Sequence, residues 1–87
     1  MYKATFHKDW PDYFDKLENT VKEHVSKKIQ KILEHPKKRH LGGGAKYFVD
    51  EIGQHRILYM VFEEKQEVRF FFVGNHKEYE KWYKNLF

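Results

Sequence analysis

Two polar residues of this 87-residue chain carry side chains suited to reactions at a phosphodiester. Arg56 has a guanidinium, which holds phosphate oxygens in pairs and keeps its positive charge as a pentavalent phosphorus centre forms. His76 has an imidazole, which exchanges a proton near neutral pH with an attacking 2′-hydroxyl or a leaving 5′-oxygen. Such a reaction requires no metal ion, and we expect neither a metal site nor a cofactor.

The pairing of the predicted strands indicates whether Arg56 and His76 lie close together. Three segments rich in Val, Ile, Phe and Tyr are predicted to form an antiparallel meander: 45–52, 56–62 and 67–73. With the tip of the second hairpin at residues 64–65, Arg56 lies opposite Val73, and His76 follows just after that strand. Both residues are therefore predicted at one end of the sheet, although they are 20 positions apart in the chain.

Each of the two residues also has a simpler interpretation. The hairpin at Gly53 places Glu51 opposite Arg56, so that Arg56 could form an ion pair with Glu51 or with Asp50. His76 could be a helix cap or a solvated surface residue, since the chain has 6 histidines in all. The residues alone leave both interpretations open.

The rest of the chain supplies an N-terminal strand and three helices. Residues 2–6 alternate between apolar and polar side chains, as a short strand does. A short helix begins with Pro11 in its first turn, and an amphipathic helix runs from about Thr20 until Pro36 ends it. A last helix is predicted over 76–87. The order β-αα-βββ-α predicts an α+β fold in which an N-terminal helical hairpin packs on a mostly antiparallel four-stranded sheet.

Length and composition restrict the class of protein further. The chain is long enough for one domain over residues 1–87. Lys and Arg number 17 against 13 Asp and Glu, which gives a net charge of +4, and there are no cysteines. No apolar run approaches the ~20 residues of a membrane span. We expect a small, basic, soluble, cytoplasmic domain without a signal peptide, whose partner is a nucleic acid or an acidic protein.

Three further sets of residues need an interpretation. Aromatic residues at helical spacing in the last helix are suited to stacking a base, to donating a phenolic proton, or to packing: Tyr79, Trp82 and Tyr83. A basic loop ahead of a glycine run is suited to binding or to solubility: Lys38, Arg39 and His40. The lysines of the second helix are most simply a solvated face: Lys22, Lys27, Lys28 and Lys31.

Two motifs and the element order resemble the RelE/ParE superfamily of bacterial and archaeal toxins from toxin–antitoxin pairs. The motifs are HRILYMV at 55–61 and FVGNHKEY at 72–79, and the resemblance extends to the opening strand and to the glycine turn at 41–43. It implies an mRNA interferase that cuts mRNA in the ribosomal A site by 2′-hydroxyl attack. It also implies an acidic RelB-like antitoxin, which neutralises the toxin in complexes that form higher heteromers.

The resemblance assigns roles to individual residues of this chain. Arg56 matches the arginine that stabilises the phosphate in the transition state, and His76 matches the catalytic histidine of the YafQ-like branch. The expected catalytic tyrosine is Tyr79 or Tyr83, and the expected RNA contacts are Lys38, Arg39, His40, Lys77 and Trp82. Phe48 and Asp50 stand where RelE has two catalytic lysines, so the resemblance favours His76 as the acid/base group.

Two rival functions are compatible with the same fold. A ParE-like toxin binds DNA gyrase and is not a nuclease, and a non-catalytic module only binds its antitoxin. ParE-type chains generally lack an acid/base set, so His76 beside Gly74 favours the interferase.

Overall fold

A computed structural model describes residues 1–36 and 47–86 of the chain. The elements in chain order are β1 (Lys3–Phe6), α1 (Trp10–Phe14), α2 (Asn19–Glu34), β2 (Phe48–Ile52), β3 (His55–Phe62), a 3-10 turn (Glu63–Lys65), β4 (Glu67–Asn75) and α3 (His76–Leu86). The predicted order and the α+β class are confirmed. The predicted start of the second strand at residue 45 lies outside the described residues.

The four strands form one sheet in the order β1-β4-β3-β2. β2 and β4 each pair antiparallel with β3, whereas β1 pairs parallel with β4, so that the sheet is mostly antiparallel. β4 lies inside the sheet, as its apolar residues on both faces predict. Four of its side chains are almost fully buried: Val68, Phe70, Phe72 and Val73.

An extra residue in β4 changes the register between β3 and β4. From Phe62↔Glu67 to Tyr59↔Phe70 the pairing follows the predicted count around the hairpin. Leu58 then pairs with Phe72, which leaves Phe71 as a bulge without a partner residue in β3. Arg56 consequently lies opposite Gly74, and the prediction that it faces Val73 is wrong by one residue. The predicted pairing of Glu51 with Arg56 is confirmed.

The bulge divides the apolar side chains of β4 between two cores. Phe70 and Val73 face α2, where they pack with Val25, Ile32 and Tyr59 in the larger core. Phe72 points to the other face, where it packs with Leu58 and Tyr79 of α3. A fully buried apolar side chain contributes about 1.5–3 kcal/mol to folding. Apolar side chains of β4 therefore pack against α2 on one face of the sheet and against α3 on the other.

Tyr59 is the largest fully buried side chain of the core on α2. Its ring stacks on Phe48 with centroids 6.0 Å apart and lies 5.7 Å from Phe70. Burial raises the pKa of the Tyr59 hydroxyl well above its ordinary value, and the carboxylate of Asp50 raises it further. The phenol is therefore neutral near pH 7, and its ring acts as a packing group.

A polar network joins the parallel strands β1 and β4. The Thr5 hydroxyl donates a hydrogen bond of 2.7 Å to the Glu67 carboxylate, and the Arg69 guanidinium donates one of 3.0 Å to the same oxygen. Arg69 Nε also donates to Thr5 Oγ1 at 3.3 Å. Glu67 is only 5% exposed, so these donors replace the water that its carboxylate loses. The hydrogen bond from Thr5, followed by Arg69, lowers the pKa of Glu67.

We expect Glu67→Gln to lower the stability of the fold at neutral pH, because a neutral amide accepts weaker hydrogen bonds from Arg69. The folded-state pKa of Glu67 is depressed below its value in the unfolded chain, so its stabilising contribution is fully present above the unfolded-state pKa and is lost as the pH falls through the folded-state pKa. Urea denaturation followed by circular dichroism measures the difference at about pH 7 and about pH 3. Exposed Glu64→Gln is the control. A difference that stays the same at both pH values would contradict this account.

Candidate active site at the end of the sheet

Arg56 is fixed over an aromatic ring rather than paired with a carboxylate. Its guanidinium carbon lies 4.7 Å from the centroid of the Tyr79 ring. Among the described residues no carboxylate forms an ion pair with Arg56, so the simpler interpretation, a pair with Glu51 or Asp50, is wrong. A cation–π contact contributes about 0.5–2 kcal/mol, depending on exposure. It orients the guanidinium and leaves its charge available to an anion.

The start of α3 is set by a reciprocal pair of hydrogen bonds. The backbone N–H of Glu78 donates to Asn75 Oδ1, and the backbone N–H of Asn75 donates to Glu78 Oε1, both at 2.9 Å. This is a capping box, with Asn75 as the capping residue. His76 is therefore not the cap but the first residue of α3. Its side chain lies at the positive end of the helix dipole, where anions are stabilised.

The imidazole of His76 has one carboxylate neighbour. Its Nε2 lies 2.9 Å from Glu80 Oε1, one helical turn further along α3. Both side chains are more than half exposed, and an exposed pair of this kind contributes only about 0.2–1 kcal/mol. The contact orients the ring without closing it off from a substrate.

An open cleft of about 490 Å³ joins these groups at the β2–β3 turn. Its lining includes Arg56 from β3, Asn75 at the end of β4, and His76 and Lys77 from α3. Glu51, Gly53 and Gln54 form the opposite wall. Of the residues predicted for the site, the structure brings Arg56, His76 and Lys77 together.

The aromatic candidates lie behind this cleft rather than in its lining. Tyr79 is 8% exposed, and burial raises the pKa of its hydroxyl while Arg56 opposes the shift. Tyr83 is half-buried, with its ring 5.9 Å from that of Tyr79. Trp82 stacks on Phe72 at 5.6 Å. Tyr79 is thus a neutral phenol whose ring supports the Arg56 guanidinium. Part of the Trp82 side chain packs against Phe72.

The other expected contacts divide into two groups. Lys38, Arg39 and His40 lie outside the described residues. Phe48 and Asp50, which the resemblance places at the positions of two catalytic lysines, point to the α2 side of the sheet, away from Arg56. Phe48 stacks on Tyr59 there, and Asp50 lies 3.8 Å from Lys28.

Sequence reasoning missed the residues that shape the cleft around Arg56 and His76. The spacing of Asn75 and Glu78 is that of a capping box and could have identified the start of α3. Glu80 is four residues after His76, the spacing at which side chains meet on a helix. No sequence motif identifies Gln54 as a cleft residue, because its place in the lining follows only from the geometry of the β2–β3 hairpin.

Two features are absent from the described residues. No three or more His, Asp or Glu side chains within 1–36 and 47–86 are grouped so that they could hold a metal ion. None of the helices in these ranges is long and apolar enough to cross a membrane.

The fold matches that of known toxins. The family described as "ParE toxin of type II toxin-antitoxin system, parDE" matches residues 1–79 by its sequence model. The chain belongs to this family and is a toxin of a type II toxin–antitoxin system within the RelE/ParE superfamily. A search of curated proteins found no match.

Solved structures agree with this assignment. The isolated Escherichia coli RelE toxin is 26% identical over all of both chains, with a TM-score of 0.78. RelE in the intact E. coli RelBE toxin–antitoxin complex is 28% identical, and the match covers 86% of this chain and 96% of that one, also with a TM-score of 0.78. The archaeal RelE–RelB complex from Pyrococcus horikoshii shares the fold at 15% identity, with a TM-score of 0.72 and coverage of 85% and 93%.

We expect Gly74→Ala to loosen the start of α3. A Cβ at this position would lie 2.8 Å from the Phe72 ring and 3.0 Å from the capping oxygen of Glu78, so both would have to move. Overpacking of this kind destabilises a fold by about 1–3 kcal/mol. Hydrogen exchange of the α3 amides, compared with that of the α2 amides, measures the effect. Unchanged α3 protection would show that the close contacts at Gly74 do not matter.

Proposed function

We propose that this toxin is a ribosome-dependent endoribonuclease that cleaves mRNA in the A site. The observation that carries the proposal is the common cleft of Arg56 and His76, in which a fixed guanidinium and an accessible imidazole flank one open volume. Lys77 and the N-terminus of α3 add positive potential on the same side. This combination suits a phosphodiester and its negatively charged transition state.

The proposed reaction is an attack of the 2′-hydroxyl on the adjacent phosphorus. The new O–P bond closes a 2′,3′-cyclic phosphate, the bond to the 5′-oxygen breaks, and the downstream strand leaves with a 5′-hydroxyl. His76 transfers one of the two protons: it accepts the proton of the 2′-hydroxyl or donates one to the 5′-oxygen. The other proton is exchanged with water in the open cleft, because Tyr79 and Tyr83 lie behind its lining. Arg56 stabilises the charge on the non-bridging oxygens as the pentavalent centre forms.

The relatives support an antitoxin as one partner. RelE was solved with the antitoxin RelB in the E. coli RelBE complex, and in the complexes from P. horikoshii and Methanococcus jannaschii. We propose an acidic RelB-like antitoxin for this chain, in complexes that form higher heteromers, and translating ribosomes with their mRNA as the target.

A second candidate is a ParE-like activity against DNA gyrase. It is favoured by the family model that matches residues 1–79, which is that of ParE toxins. The accessible His76 beside Arg56 distinguishes the nuclease proposal, because inhibition by binding alone has no use for an acid/base group.

We expect Arg56→Ala to reduce cleavage about 10²- to 10³-fold without unfolding the chain, because it removes stabilisation of the transition state. Arg56→Lys restores little, since an ammonium cannot bind two phosphate oxygens in a fixed fork. Mapping of mRNA 5′ ends in translating cells measures cleavage, and circular dichroism checks the fold.

The same expression experiment separates the rival functions. Cuts in phase with codons, lost in folded Arg56→Ala, support the interferase. Supercoiling defects without such cuts support a gyrase toxin, and the absence of both supports a non-catalytic module.

We expect Tyr79→Phe to retain most of the cleavage rate, because the phenyl ring still supports the Arg56 guanidinium. Tyr79→Leu removes the aromatic face and should reduce cleavage more strongly. Single-turnover cleavage of programmed ribosomes compares the two variants at matched thermal stability. If Tyr79→Phe were as inactive as Tyr79→Leu, the hydroxyl would take part in proton transfer, and the supporting role would be wrong.

A further inference from the structure

The Glu80 carboxylate contacts His76, although two lysines of α3 are within reach of it. Lys77 and Lys84 lie three residues before and four residues after Glu80, the spacings at which side chains meet on a helix. Among the described residues, the ion pair of Glu80 is nevertheless with His76, whose Nε2 lies 2.9 Å from Glu80 Oε1. The carboxylate of Glu78 is occupied by the capping box. Glu80 is therefore the acidic side chain that holds the imidazole.

This contact determines which nitrogen of His76 carries a hydrogen. An ionised carboxylate only accepts, so an imidazole nitrogen 2.9 Å from one of its oxygens has to supply the hydrogen. The neutral form of His76 is thus the one with its hydrogen on Nε2, which leaves the lone pair on Nδ1. No described residue forms a hydrogen bond or an ion pair with Nδ1.

The two nitrogens of the ring have different surroundings. Glu80 lies one helical turn further along α3, beyond the residues that line the cleft, whereas His76 is part of that lining. Nε2 is therefore taken up on the helix side, and Nδ1 is the nitrogen left for a molecule in the cleft. The capping box of Asn75 and Glu78 fixes the backbone beneath His76, so that only the side-chain torsions of the ring remain to be set.

We propose that Glu80 is a positioning residue, which holds the His76 ring by Nε2 so that Nδ1 exchanges the proton with the RNA. The inference rests on the proposed function and adds to it the reacting atom. As a base, Nδ1 takes the proton of the 2′-hydroxyl, and the hydrogen on Nε2 stays at Glu80 in the resulting imidazolium. As an acid, the imidazolium gives its Nδ1 proton to the 5′-oxygen, and the same neutral form remains.

Nuclear magnetic resonance tests the position of the hydrogen without a nuclease assay. In a long-range ¹H–¹⁵N spectrum of the full-length chain at about pH 8, where histidines are largely neutral, we expect His76 to be protonated on Nε2 alone. His76→Asn identifies the signals. In Glu80→Ala the form with hydrogen on Nδ1 should become detectable. Glu23→Ala makes the same substitution at an exposed position of α2 and should leave the His76 signals unchanged.

Two spectroscopic results would overturn the inference. One is a wild-type ring that carries its hydrogen on Nδ1. The other is a pair of identical His76 spectra from wild type and Glu80→Ala, since the carboxylate would then have no hold on the ring.

Cleavage kinetics test whether this hold matters for the reaction. We expect Glu80→Ala to lower the cleavage rate at saturating programmed ribosomes about three- to tenfold, because the released ring spreads over several staggered wells and both ring orientations. The half-saturating concentration should stay at its wild-type value, since Arg56 and Lys77 are unchanged. Glu80→Gln keeps an acceptor oxygen in place and should restore most of the rate. A role in helix stability alone predicts no loss in Glu80→Ala, because alanine has the highest helix propensity.

Methylated histidines at position 76 identify the reacting nitrogen. Nδ1-methylhistidine has no lone pair on Nδ1 and should abolish cleavage. Nε2-methylhistidine loses the contact with Glu80 but keeps that lone pair, so it should cut at about the rate of Glu80→Ala. The reverse order of activities would overturn the inference. If the wild type itself did not cut mRNA, the proposed function would fail, and the ¹⁵N spectra would still decide whether Glu80 holds the ring.

Discussion

The candidate site depends on the β-bulge at Phe71, the residue of β4 that has no pairing residue in β3. One extra residue turns Phe72 from the α2 side to the α3 side and brings Gly74, rather than Val73, opposite Arg56. Phe72 then packs with Tyr79, and the Tyr79 ring supports the guanidinium of Arg56. A strand with regular alternation would send Phe72 into the larger core and leave α3 without its main apolar contact. The bulge thus links the packing of a helix to the orientation of a charge.

The site combines a rigid half with an accessible half. Arg56 belongs to a central strand and lies on a buried ring, so that the proposed binding of a phosphate would cost it little conformational entropy. His76 lies at the exposed end of a capped helix, where its backbone is fixed and its imidazole is open to solvent. A fixed positive charge beside an accessible proton carrier suits the phosphodiester transfer proposed above.

Most of the fold could be predicted from periodicity, whereas the bulge could not. Alternation and turn residues identify the strands, and the count around two hairpins places Arg56 and His76 at one end, because a slip of one residue changes faces but not ends. The last strand, however, is apolar on both faces from Val68 to Val73, so the pattern contains no information about which residue is extra. The role of Tyr79 was hidden for a related reason: aromatic residues at helical spacing look alike whether they pack, stack on a base or donate a proton.

The parallel pairing of β1 with β4 has a consequence for the order of folding during synthesis. Thr5 bonds to Glu67 across 62 positions, so the first strand has no partner until most of the chain has been translated. Contacts of such long range form late and slow folding. The helix that carries His76 follows β4 directly, and hence both halves of the cleft are completed at nearly the same moment. The cleft of Arg56 and His76 therefore exists only once β4 and α3 have both been synthesised.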